Sequence, residues 1–190
     1  MKLSWRADIL GKVLFAKFQV LDKPHTYTVG ITSRCVDGKH VLFADWDGVS
    51  EKIVRWDISC IIKEFELSDC YIFRSGNGFH MVCLDKMPFA DVVKVQGHTC
   101  CDYAFRVALQ TFNERSWVLR VVKKGDNNAP KFIGVIRGSG KREKSLAHAT
   151  FLNKYYGVGV DTNAGVWDTE NDICFIKYMT SKCKKGEHNG

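Results

Sequence analysis

Two aspartates at the end of an apolar run are the first residues whose type and spacing suggest chemistry. Asp45 and Asp47 close the stretch HVLFADWDG, residues 40–48, with Trp46 between them. Side chains alternate between the faces of a strand, so both carboxylates project to one face, where like charges roughly 5–7 Å apart repel. A bound Mg²⁺ or Mn²⁺ would compensate them, because these ions prefer carboxylate oxygens and also bind phosphates. The alternative is a pair of solvated acids beside a turn at Asp47.

A glycine-rich turn, RSGNGFH at residues 74–80, is the second candidate. Gly76 and Gly78 allow the backbone to approach a ligand closely, and exposed turn amides bind phosphate oxygens. Ser75 adds a hydroxyl donor. His80 begins the return strand, where its imidazole can face a phosphate or a metal. The alternative is an ordinary hairpin turn with a half-buried histidine.

A basic run, WVLRVVKK at residues 117–124, is the third candidate. If Arg120 points to the working face of a sheet it needs an anion, and guanidinium groups bind phosphates bidentately. The alternative is an exposed basic edge strand that prevents aggregation. Asp102 is either a carboxylate at a helix start or a third acidic ligand.

Hydrophobic periodicity predicts the elements that must position these residues. The predicted helices and strands form an α+β fold, with a mixed, largely antiparallel sheet flanked by helices. We expect one domain over residues 1–180 and a basic flexible tail over 181–190. The expected elements are a helix from Ser4 to Phe18, strands 26–36 and 40–47 joined by an Asp-Gly turn, a helix over 50–66 capped by Ser50, a hairpin over 70–85, helices 88–96 and 101–112, strands 117–124 and 131–137 around a turn, a helix over 145–157 ending at Gly157, and a strand over 172–180.

Composition and charge limit the kinds of partner that the protein can bind. The 190 residues carry a net charge of +7, which favours a polyanionic partner. No apolar run approaches the roughly 20 residues of a membrane span, so we expect no membrane partner. The eight cysteines contain no CxxC pair, and reduced thiols in the cytoplasm are the simplest interpretation. The GSGK stretch at 138–141 lacks the spacing of a phosphate-binding Walker loop.

The order of these motifs resembles the archaeo-eukaryotic primase superfamily, which includes the small subunit of DNA primase and the primase-polymerases. The likeness covers residues 26–137 and is strongest at FADWDG and RSGNGFHMV. It implies a primase-polymerase catalytic core built on an RRM-like sheet. It also implies template-directed synthesis or extension of primers on single-stranded DNA, in the replication of a mobile element or virus.

The resemblance implies a role for each matching residue. Asp45 and Asp47 match the motif that binds the catalytic metals, Mg²⁺ or Mn²⁺, and Asp102 is our choice for the third acid, with Asp91 and Asp126 as competitors. The second motif implies that Ser75, Gly76 and His80 contact the phosphates of the incoming nucleotide. The residues that would hold the triphosphate from the basic run are Arg120 with Lys123 or Lys124.

The resemblance also implies partners. These are a single-stranded DNA template and nucleoside triphosphates, with a helicase or a primase accessory subunit as further candidates. Lys141, Arg142 and Lys144 would follow the template backbone, unless they form a solvated charged loop. We expect action in the cytoplasm, or at a nucleoid or viral replication site. The rival function is a catalytically inactive relative that binds DNA or initiates replication.

Overall fold

The structure is a computed structural model that describes residues 2–9, 12–19, 26–112, 116–123, 128–168 and 176–181. The chain forms two compact units, one of residues 1–27 with 180–190 and one of residues 28–179. The predicted single domain over 1–180 stays a prediction. The predicted tail falls almost entirely on residues 182–190, which lie outside the described residues.

The first unit contains an antiparallel hairpin of β1 (Lys2–Ile9) and β2 (Lys12–Gln19), in which Lys2 pairs with Gln19 and Ile9 with Lys12. The predicted helix from Ser4 to Phe18 is therefore wrong. In β1 the sequence KLSWRADI alternates polar and apolar residues, which is the period of a strand. The apolar residues of 5–18 also fit a helical spacing, but the pairing of β1 with β2 shows that they belong to two strands.

The described elements that follow alternate short strands with four helices. Capping residues mark the ends of two of these helices. In chain order they are β3 (Thr26–Thr32), β4 (His40–Asp47), α1 (Glu51–Phe65), β5 (Cys70–Ser75), β6 (Gly78–Met87), α2 (Phe89–Gly97), α3 (Tyr103–Phe112), β7 (Val118–Arg120), β8 (Lys131–Ile136), β9 (Lys144–Ser145), α4 (Leu146–Tyr156), β10 (Trp167–Asp168) and β11 (Ile176–Ser181).

A mostly antiparallel sheet forms the centre of the second unit. Strand β6 pairs with β4 on one side and with β5 on the other, and β5 pairs in turn with β8. Strand β9 joins the far end of β6, where Asp85 pairs with Lys144, and the short β10 pairs with β9 in parallel. The α+β class and the mixed, mostly antiparallel sheet are thus confirmed, while the primase-polymerase core stays a prediction.

A second sheet has the strand order β11-β3-β7. This sheet bears on two predicted hairpins. The turn predicted at Asp-Gly is present: the N–H of Cys35 donates to the carbonyl of Lys39 at 2.9 Å, and Arg34 forms an antiparallel bridge with His40. Beyond this bridge the two strands separate, since β3 pairs with β7 while β4 pairs with β6. Likewise β7 and β8 do not pair with each other, because β7 joins β3 and β8 joins β5.

Capping residues delimit α1 and α4, and the caps at Ser50 and Gly157 are as predicted. The side chain of Ser50 accepts from the N–H of Ile53 at the start of α1. Ser145 does the same for His148 at the start of α4, which ends at Gly157 in the left-handed conformation, with φ 62°. The helices predicted over 88–96 and 101–112 correspond to α2 and α3.

The central sheet is covered on both faces. On one face, the indole Nε1 of Trp46 donates to the buried Asp57 of α1 at 3.0 Å, which places α1 on that side. On the other face, Phe73 lies 4.7 Å from the ring of Tyr156, at the end of α4. Asp45 is on the face opposite to Trp46, so the carboxylates lie on the α4 side of the sheet.

Candidate active site

The register between β4 and β6 brings the first two predicted motifs together. Asp45 pairs with His80, and Asp47 pairs with Gly78. Cross-strand partners share a face, and the Nε2 of His80 lies 3.5 Å from the Oδ1 of Asp45. The predicted metal-binding and phosphate-binding motifs therefore meet on one face of the sheet, although they lie about thirty residues apart in the chain.

The electrostatics of this pair follow from burial. Burial, reinforced by the neighbouring carboxylates of Asp47 and Asp102, raises the pKa of Asp45 to about 7. Burial also lowers the pKa of His80 to about 3, with the positive charge of Arg120 as a second cause. His80 is therefore neutral near pH 7 and does not form an ion pair with Asp45. The carboxylate charge of Asp45 is left without a compensating imidazolium.

The glycine-rich turn fits closely under β4. A Cβ added at Gly78 would lie 2.5 Å from the Oδ1 of Asp47 and closer still to the carbonyl oxygen of Trp46. Only a glycine leaves room for this approach. Gly76 has a positive φ of 59°, which a turn of this kind requires and which glycine adopts without strain. The conformation of the turn thus requires glycine at position 76, and the close approach of β4 requires glycine at position 78.

Arg120 reaches the same face from β7. Its guanidinium donates to the hydroxyl of Ser75 at 2.7 Å, and also to the carbonyl oxygens of Val122 and Asn128. Arg120 lies close enough to Asp45 for their charges to interact, while its burial lowers its own pKa. Lys123 is exposed beyond the end of β7, and its part in the site stays a prediction. Lys124 lies outside the described residues.

Asp102 is joined to Asp45 through the backbone. Its N–H donates to the carbonyl oxygen of Asp45 at 2.7 Å, along the side of β4 that does not face β6. Its own Oδ1 accepts from the N–H groups of Ala104 and Phe105 and so caps α3. Asp102 is therefore a helix-start carboxylate whose charge also acts on Asp45. Its role as a third acidic ligand stays a prediction.

The structure describes one of the two competing acids. Asp91 is exposed in the first turn of α2, and it is not among the causes that shift the pKa of Asp45, whereas Asp102 is. Between these two acids the structure favours Asp102. Asp126 lies outside the described residues, and its place as a competitor stays a prediction.

Two buried residues that we did not predict position this site. Asp57 accepts from Trp46 Nε1 and, at 2.9 Å, from the N–H of Cys100, which ties α1 and β4 to the loop that carries Asp102. The side-chain amide of Gln96 donates to the carbonyl of Phe43 at 2.6 Å and satisfies the same side of β4. A signal for Asp57 was available, because it is an acid within the buried stripe of an otherwise apolar helix face.

The predicted nucleic-acid residues lie at the other end of α1. The guanidinium of Arg142 donates to the carbonyls of Phe65 and Glu66, where the helix ends, at 2.8 and 2.9 Å. The 15-residue helix separates this point from its first turn by about 22 Å, and that first turn follows Asp47 by four residues. Lys141 is exposed beside it. The structure thus gives Arg142 a capping contact and does not bring it to the carboxylates.

The carboxylates of Asp47 and Asp102 lie close enough to Asp45 for their charges to raise its pKa, after burial, and Arg120 opposes this shift. Aspartate oxygens are the ligands that Mg²⁺ and Mn²⁺ prefer. Within residues 29–107, 116–123 and 128–168, no three His, Cys, Asp or Glu side chains are oriented closely enough to ligate one ion as they stand.

Comparison of the chain with models of protein families, with curated proteins and with solved structures finds no match. The helices that the structure describes include none with the length and apolar character needed to cross a membrane. The six cysteines within the described part of the chain form no disulfide.

Proposed function

We propose that this protein is a metal-dependent nucleotidyltransferase of the primase-polymerase type. It would synthesise or extend primers on single-stranded DNA from nucleoside triphosphates, in the replication of a mobile element or virus. The observation that supports this proposal is the shared face of the central sheet. There Asp45 and Asp47 lie beside His80, and Arg120 donates to Ser75.

We assign each of these residues a role in binding that fits its chemical environment. Arg120 supplies the positive charge for a triphosphate, and Ser75 and the turn amide of Gly76 supply neutral donors. His80 contributes a neutral imidazole, since the pKa of its side chain is lowered to about 3. Asp45, Asp47 and Asp102 would hold the divalent ions. When bound, these ions lower the pKa of the attacking 3′-hydroxyl and neutralise charge on the pyrophosphate.

A second candidate, a catalytically inactive relative that binds DNA, rests on one observation. The Oδ1 of Asp102 is already engaged as the cap of α3. If that bond persists when a nucleotide binds, only the Oδ2 of Asp102 and the pair on β4 remain to ligate ions. Binding of DNA without any product in either metal would support this candidate.

The test is primer synthesis and primer extension on a single-stranded DNA template, with all nucleotides and with Mg²⁺ or Mn²⁺. We expect product from the wild type and none from the double variant Asp45→Asn with Asp47→Asn. Asp102→Asn is expected to lower the rate by at least 100-fold if it is the third ligand. Such a loss is of the size that removing an electrostatic contact to the reacting group produces.

Asp91→Asn provides the matched control, because it makes the same change at an exposed acid on α2. We expect the wild-type rate from this variant. Full activity of the double variant on β4 would refute the assignment of the site, and a loss in Asp91→Asn equal to that in Asp102→Asn would refute the choice of the third acid.

A further inference from the structure

An exposed aromatic side chain follows directly after Asp102 in the chain. Tyr103, the first residue of α3, is 69% exposed, more than any other large apolar or aromatic side chain of the described residues. Exposing so much of a ring forgoes the burial that stabilises aromatic side chains in the core. Its position directly after Asp102 suggests that the ring serves a ligand.

The backbone that carries this ring is held rigidly. The preceding residue, Asp102, donates its N–H to Asp45 at 2.7 Å and caps α3 with its own carboxylate. One step earlier, Cys101 is buried, and Cys100 is anchored to Asp57. The Cα of Tyr103 therefore lies about 3.8 Å from that of the third acid, and the ring extends from a fixed point at the edge of the site.

A cation accompanies the ring. The Cζ of Arg106, one helical turn further on, lies 5.7 Å from the centroid of Tyr103, within the range of a cation–π contact. The Nε of Arg106 is buried and has no hydrogen-bond partner among the described residues. The pair thus combines an open π-face with a positive charge, which is the combination that proteins use to hold nucleobases next to their phosphates.

We infer that Tyr103, with Arg106 beside it, is a stacking platform for the base of a nucleotide whose phosphates bind the divalent ions that Asp45, Asp47 and Asp102 would hold. This inference rests on the proposed function. Stacking uses the π-face that every base has, so the platform adds affinity without selecting a base. The base belongs either to the incoming nucleoside triphosphate or to the DNA strand, and the two arms of the test separate these sources.

The test measures three dissociation constants in the presence of Mg²⁺: for a nucleoside triphosphate, for a single-stranded oligothymidylate, and for inorganic tripolyphosphate, which has no base. We expect Tyr103→Ala to weaken binding of the first or the second on the order of ten-fold. Tripolyphosphate is expected to bind both proteins equally. Tyr103→Trp is expected to restore the lost affinity, because indole also stacks.

Trp56 supplies the matched control. It is 67% exposed on α1, which packs on the sheet face opposite to the carboxylates, so Trp56→Ala is expected to change none of the three constants. A weakened triphosphate identifies the incoming nucleotide as the occupant, and a weakened oligonucleotide alone identifies the strand. Equal binding of both ligands by Tyr103→Ala and the wild type would overturn the inference. Failure of tripolyphosphate to bind the wild type would instead count against the proposed function.

Discussion

The raised pKa of Asp45 leads to a prediction about stability that does not depend on any activity assay. Asp45→Asn keeps the shape of the side chain and removes its charge. The pKa of Asp45 is about 7 in the folded protein and 3.8 in the unfolded chain. As pH rises above 3.8, the unfolded chain loses this proton first, so the free energy of unfolding falls until about pH 7 and is constant above it.

The size of the effect follows from this interval. At about 1.4 kcal/mol for each pH unit, the difference between 3.8 and about 7 amounts to about 4 kcal/mol. The side chain of Asp45 keeps 25% of its exposure, and solvent screening reduces the cost, so we expect about 2–4 kcal/mol. At pH 8 the free energy of unfolding of Asp45→Asn should therefore exceed that of the wild type by about 2–4 kcal/mol. At pH 5 this difference between the two proteins should be smaller by about 2 kcal/mol.

The assay is urea unfolding of both proteins from pH 5 to pH 8, with and without Mg²⁺. Both proteins contain the same histidines, so the effect of histidine titration on the free energy of unfolding cancels in the difference between them. Mg²⁺ is expected to stabilise the wild type at pH 8 and to leave Asp45→Asn unchanged, because a ligand stabilises only the protein that binds it. Asp161→Asn, at an exposed loop residue, should match the wild type throughout.

A difference between wild type and Asp45→Asn that stays constant from pH 5 to pH 8 would refute the reasoning. It would mean that burial and the neighbouring carboxylates do not hold the pKa of Asp45 above its ordinary range. A variant less stable than the wild type at pH 8 would contradict it more strongly, since the charge would then be stabilising.

Three further predictions concern two residues that position the site and one at the far end of α1. Gly78→Ala should lower the free energy of unfolding by about 2 kcal/mol or more in a thermal unfolding scan, because the new methyl group clashes with the β4 backbone. Gly97→Ala is the control: this glycine of α2 has open space around it, so the change should be neutral or slightly stabilising in the same scan. Asp57→Ala leaves buried donors unpaired and should cost about 2–4 kcal/mol by urea unfolding; a loss below 0.5 kcal/mol would contradict the positioning role. Arg142→Ala should lower the melting temperature, because it removes two hydrogen bonds at the end of α1. If the same change lowers the slope of log K against log salt for DNA binding by about one, with Lys141→Ala measured beside it, then Arg142 also contacts a phosphate.

Local signals in the sequence were sufficient for most elements of the second unit. Ser50 and Ser145 begin their helices and Gly157 ends one, because a side-chain cap or a left-handed glycine acts within a single turn. The hairpin at Gly76 follows equally from its turn residues. The hairpin of the first unit was missed because apolar residues spaced along β1 and β2 also fit a helical period.

The sequence by itself determined that Asp45 and Asp47 share one face, since strand periodicity depends only on neighbouring residues. Only the tertiary structure decided what faces them. The register of β4 against β6 places His80 beside Asp45, and the packing of β7 near β5 lets Arg120 donate to Ser75. Such pairings join residues tens of positions apart, and their energies depend on packing across strands, which no local pattern specifies.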